Sequence, residues 1–414
     1  MNYTHLLKII IIYIVLMSVV FTVLILIPKF KPTVDIKEVL LRDDGYYKYA
    51  GKLINDVSFK NKGSRVMNIL TMLVYVVPVK FHFLSRFALS VIINIGSFSL
   101  FYLIGKHLKI QPIHYYFTVL FTMINPTFLH WTIRYSPEPC ITFFMLLMVY
   151  LLIKGRYYII PSIFIYVILL LTRQTVILIP VSLLVGSIFL KKKNLHVVSL
   201  ILLFLSLGGY FLLNRASVDD ANIDFRNEQR NRELNYSSGV SQLIKGSFFA
   251  KQVIISSRYE TGAIKGENGN RYIAYKEANE WVSKNYKEGM SRFELFGRFI
   301  LDYPYMYILS IVANSVFYFT LANTTSESYV QILFFLSTVI IFMFRIKEIK
   351  VNRNEIVMIS VFVGVMLLHS MVYSYTRYGF NSIIMVNYFA FKGYKFKKMK
   401  QNIKIKNVKI LKQK

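Results

Sequence analysis

With 414 residues, 55% of them hydrophobic, and a mean hydropathy of +0.46, the chain is too apolar for an ordinary soluble domain, where apolar residues make up about 45–50%. The formal net charge of +29 does not indicate a nucleic-acid partner, because the Lys and Arg stand in short links between apolar blocks and in the last residues, not on a soluble face. The apolar blocks run for about 15–21 residues without a charge, which suits membrane-spanning helices, so the expected fold class is an all-α polytopic membrane protein.

The first apolar run, Ile9 to Ile27, exceeds a signal-peptide core of about 7–15 residues and lacks a small-x-small cleavage site, so it reads as a retained span. Spans are predicted near 8–28, 86–105, 113–132, 139–153, 157–172, 175–190 and 195–213, making an N-terminal transmembrane module of residues 1–213. The basic links KHLK at 106–109, KGR at 154–156 and KKK at 191–193 then share the side of the N-terminus, as the positive-inside rule requires.

Segments 29–85 and 214–303 fall on the opposite, external side. The first opens polar and then carries MNILTMLVYVVPV at 67–79, too short for a span and read as a juxtamembrane helix. The second holds 12 of the 21 acidic residues together with 14 Lys and Arg, and must lie in water. Apolar runs at 304–322, 328–345, 356–374 and 379–391 follow, then a tail over 392–414 with ten Lys, suited to lipid headgroups. Four spans there would leave this tail outside, whereas a re-entrant or interfacial first or last run would bring it inside. The total expected is about 10–11 transmembrane helices.

Acidic residues are scarce outside the large loop, so Asp43 and Asp44 in LLRDDGYYKYAGKL and Glu138 in RYSPEPCITFFMLL stand out. Both positions fall on the external side. Carboxylates near a membrane surface are costly to desolvate and are often functional; converging on one cavity, they would suit general-base work on a hydroxyl or a divalent cation. A helix N-terminal cap is the competing account for the Asp pair, and a helix start with Pro139 in its first turn for Glu138. Arg173, Arg215 and Arg377 fall on the same side, where a guanidinium fork could hold a phosphate; the plainer account of each is an interfacial arginine with its head in water.

The single cysteine, Cys140, rules out an internal disulfide or a multi-Cys metal site, and its apolar neighbours suit a packed, inert thiol. The seven His show no zinc-ligand spacing, and no glycine-rich nucleotide loop or GxSxG elbow is present.

Taken together, these motifs resemble the C-type glycosyltransferase superfamily, in the branch of protein O-mannosyltransferases and lipid A aminoarabinose transferases. That branch shows D-[DE]-x-x-Y-x-x-x-A in its first external loop, which Asp43, Asp44, Tyr47 and Ala50 match. Glu138 matches an acid after the third span. Leu171 to Thr175, with Arg173, and Asn214-Arg215 fit more loosely. Arg377-Tyr378 match the start of a late R-Y-x-x-P element whose proline is missing here. The resemblance covers about residues 1–215 and, more weakly, 300–392.

It implies an inverting transfer in which Asp43 accepts the proton of an acceptor hydroxyl that attacks a polyprenyl-phosphate sugar. Asp44 and Glu138 would be supporting acids, and Arg377, Tyr378, Arg173, Arg215 and Tyr47 would bind the donor. No nucleotide or redox cofactor is implied. The acceptor would be a surface glycan, lipid or protein, and the setting a bacterial inner membrane with its site facing outward. The rival readings are an O-antigen or capsule polymerase and a lipid-linked oligosaccharide flippase; the flippase would need charges at mid-membrane depth, where this sequence has almost none besides His.

Overall fold

The computed structural model describes residues 3–26, 82–133, 138–172, 176–208, 239–256, 270–286, 290, 292–320, 325–345, 351–371 and 376–392. Among the described residues every regular element is helical. The helices are α1 (Tyr3–Leu26), α2 (His82–His107), α3 (Pro112–Met123), α4 (Pro126–Ile133), α5 (Glu138–Lys154), α6 (Ile159–Thr172), α7 (Ile179–Leu190) and α8 (Lys193–Gly208). After these come α9 (Gly239–Ser256), α10 (Asn270–Asn285), α11 (Arg292–Asp302), α12 (Pro304–Thr320), α13 (Thr325–Arg345), α14 (Arg353–Met371) and α15 (Thr376–Phe391). By length and composition three of them can cross a membrane, α1, α2 and α14, and two sharply bent pairs, α4 with α5 and α11 with α12, raise the number to five. Five further apolar helices are shorter. Helices α6 and α7, at 14 and 12 residues, are about 21 and 18 Å long, below the roughly 30 Å of a hydrocarbon core.

Local chemistry sets several boundaries. The run predicted as one span over 113–132 is broken at Ile124 and Asn125. The Asn125 side chain accepts from the backbone N–H of Thr127 at 3.0 Å and of Phe128 at 3.3 Å, and Pro126 follows at the first helical position. An asparagine cap followed by proline restarts a helix more readily than it continues one. Helix α14 opens with a reciprocal box: the Glu355 N–H donates to Asn352 Oδ1 at 2.9 Å, and the Asn352 N–H to Glu355 Oε2 at 2.7 Å.

The apolar helices pack as a bundle with a consistent sense. Tyr3 meets Tyr102, Tyr13 meets Phe98, and Phe21 meets Phe87, so α1 and α2 are antiparallel. Helix α5 runs alongside α2 in the same direction, with Phe143 over Gly96 and Tyr150 against His107. Helices α7 and α14 cross closely and antiparallel: a Cβ on Gly364 would stand 2.5 Å from Ile179 Cα, and the Ser182 hydroxyl donates to the Ser360 carbonyl. Small residues at such a crossing let two backbones approach where apolar burial gives little drive.

These directions bring Lys106, His107, Lys154, Lys191, Lys193, Arg353 and Lys392 to one end of the bundle, the basic end. At that end Glu355, fully buried, accepts from the Tyr388 hydroxyl and from Lys392, tying the start of α14 to the end of α15. A second apolar core, built around Phe248, Phe249, Trp281, Phe299 and Tyr307, joins α9, α10, α11 and α12.

Candidate functional site at the far end of the bundle

The end opposite the basic one is where α5 and α15 begin. The two helices lie side by side and run in the same direction, joined where the Thr142 hydroxyl donates to Asn381 Oδ1 at 3.0 Å. Glu138 precedes Thr142 by four residues and Arg377 precedes Asn381 by four. One helical turn is 3.6 residues, so both stand one turn further out, at matching levels on adjacent helices. Glu138 is fully buried in the first turn of α5, where the helix dipole favours a negative group.

Three buried amides share this outer layer. Asn381 has its Nδ2 without a hydrogen-bond partner among the described residues, and Asn314 of α12 has neither amide atom partnered among them. Asn314 stands one turn before Tyr318, which packs against Gly379 and bonds Ser382 at 3.0 Å. Gln331 of α13, with its Oε1 likewise unpartnered among the described residues, lies two turns outward of Thr338, whose hydroxyl is 3.5 Å from Asn387. A buried polar atom left without a partner costs about 1–3 kcal/mol, which water or a polar ligand relieves. A buried carboxylate at a helix start, one turn from the contact where Asn381 keeps a spare donor, is an arrangement that can hold a hydroxylated molecule.

Of the residues singled out in the sequence, Glu138 is thus seen in full, and the backbone of Arg377 and Tyr378 stands in the first turn of α15. Asp43, Asp44, Tyr47, Arg173, Arg215 and the 67–79 stretch lie outside the described residues. Cys140 is buried and not in a disulfide. No group of three or more His, Cys, Asp or Glu that could hold a metal ion occurs among the described residues. The amides Asn314, Gln331 and Asn381 escaped sequence reasoning; the available signal was a polar side chain inside an apolar run.

No family model, no curated protein and no solved structure matches this chain.

Proposed function

We propose that the chain is an integral membrane glycosyltransferase that moves a sugar from a polyprenyl-phosphate carrier to a surface glycan, lipid or protein acceptor. The observation that carries the reading is the placement of Glu138 and the Arg377 backbone at matching levels on adjacent helix starts, at the end away from the basic residues. The acid pair Asp43 and Asp44 belongs to this same face by the charge alternation of the sequence. The basic end would lie inside a bacterial cell membrane and the site outside.

In this reading the Asp43 carboxylate takes the proton of the acceptor hydroxyl while that oxygen bonds to the anomeric carbon with inversion. The bond from that carbon to the carrier phosphate breaks, and the phosphate leaves as an anion. Such a leaving group calls for charge stabilisation, which Arg377, Arg173 and Arg215 would supply, and not for a general acid. Asp44 and Glu138 support the base, Tyr47 and Tyr378 help seat the donor, and the long external segment covers the site.

Asp43→Asn decides between base and helix cap. Asparagine keeps the size and most of the capping, so a cap would lose at most about 1 kcal/mol, whereas losing a general base lowers the rate by about 10²–10⁴. The expected result is a normally inserted, normally abundant protein that no longer transfers sugar from its lipid donor, with Asp44→Asn and Glu138→Gln impaired less. If all three variants keep near-full transfer, the reading fails. Mass spectrometry of lipid-linked intermediates separates it from a flippase or polymerase: a transferase defect removes one sugar from the final glycan and accumulates its polyprenyl-phosphate form.

A further inference from the structure

Helix α12 carries the composition of a span, yet its two faces have different surroundings. At 100° per residue, Tyr305, Ile308, Leu309, Val312 and Val316 fall within an arc of about 100°, and all five are exposed. The opposite arc holds Tyr307, Ser310, Asn314 and Phe317, all buried. Buried residues in the first half of that arc face the helices of the second core: Ser310 bonds Ser247 of α9 at 3.1 Å, and Tyr307 packs edge-on against Phe296 of α11. Helix α9 in turn pairs with α10, where Lys251 meets Glu277 at 3.0 Å in a partly exposed ion pair. Helices bearing such pairs belong in water.

The later turns of α12 meet the bundle at the far end. Ser315 bonds Ser370 at 3.0 Å, the Tyr318 ring lies beside His369, and Tyr318 packs on Gly379 at the start of α15. Helix α13 begins five residues after α12 ends. It runs in the same direction as α15, with Phe335 stacked on Phe319 and Thr338 beside Asn387, and so ends with Arg345 toward the basic end.

We propose that α12 is not a span but an interfacial helix, resting the row Tyr305, Ile308, Leu309, Val312 and Val316 on the lipid leaflet at the far end. The occupant of this face is the boundary between headgroups and acyl chains, which suits a row of five exposed apolar or aromatic residues on one side of a helix. Tyr305, the most exposed member of the row, is of a residue type that favours that boundary. With α3–α4 and the shorter apolar helices α6, α7, α8, α13 and α15 counted as crossings beside α1, α2, α5 and α14, the order has ten. The start of α14 and the Lys-rich tail then share the side of the N-terminus, which removes the conflict with the positive-inside rule.

The test reads depth and side on the full chain with Cys140 replaced. Bimane-labelled single cysteines at 305, 308, 309, 312 and 316, in vesicles of phosphatidylcholine and phosphatidylglycerol, are expected to be quenched in one shallow band by brominated lipids. A steady deepening from 305 to 316, about 1.5 Å per residue, would mean a span and overturn the proposal, as would absence of quenching. Val351→Cys, at an exposed position before α14, is expected to resist an impermeant thiol reagent in intact cells and to react after permeabilisation. Its labelling from outside would overturn the ten-span order while leaving the proposed chemistry untouched.

Discussion

Replacing Glu355 by alanine tests whether the buried cluster at the basic end locks α14 to α15. The carboxylate has no exposed surface and accepts from the Tyr388 hydroxyl, the Lys392 ammonium and the Asn352 N–H. Removing one partner of a fully buried pair costs about 3–5 kcal/mol. The Lys392 side chain keeps 19% exposure, so part of its charge is met by water and the lower end, about 3 kcal/mol, is expected for Glu355→Ala. Lys392→Met strands the fully buried carboxylate with two neutral donors and is expected to cost a similar amount, about 3 kcal/mol. In the double variant the two effects should fall short of their sum by about 1 kcal/mol, the signature of direct coupling. Unfolding of the four proteins in one detergent, followed by loss of helical signal, measures all three terms. Strict additivity, or a loss below about 1 kcal/mol for Glu355→Ala, would refute the lock.

The close crossing of α7 and α14 gives a second expectation. At Gly364 an added Cβ meets Ile179 backbone, which cannot swing away, so Gly364→Ala should lose about 1–3 kcal/mol by overpacking, partly offset by better helix propensity. Gly186→Ala meets chiefly the Ser360 side chain, which can turn, and should be milder; the same unfolding assay ranks the two. For Arg377, Arg377→Lys keeps the charge but loses the planar fork, so donor use should weaken while abundance holds. Transfer by Arg377→Ala equal to that of the parent would remove Arg377 from the proposed donor site.

The sequence by itself set the apolar character of this protein and the rough position of each apolar helix. Both are local properties: a run of apolar residues is costly to leave in water wherever it sits, and Asn125-Pro126 or Asn352 with Glu355 restart or cap a helix through neighbours within four residues. It also placed Glu138 and Arg377 among the few charges between apolar runs. It did not reveal that they start adjacent helices, because that depends on Thr142 meeting Asn381 across 239 residues of chain. Nor did it distinguish α12 from a span. Composition reports only how apolar a helix is, whereas its neighbours, α9 and α11 along one face and the bundle at its later turns, depend on packing between segments far apart in sequence.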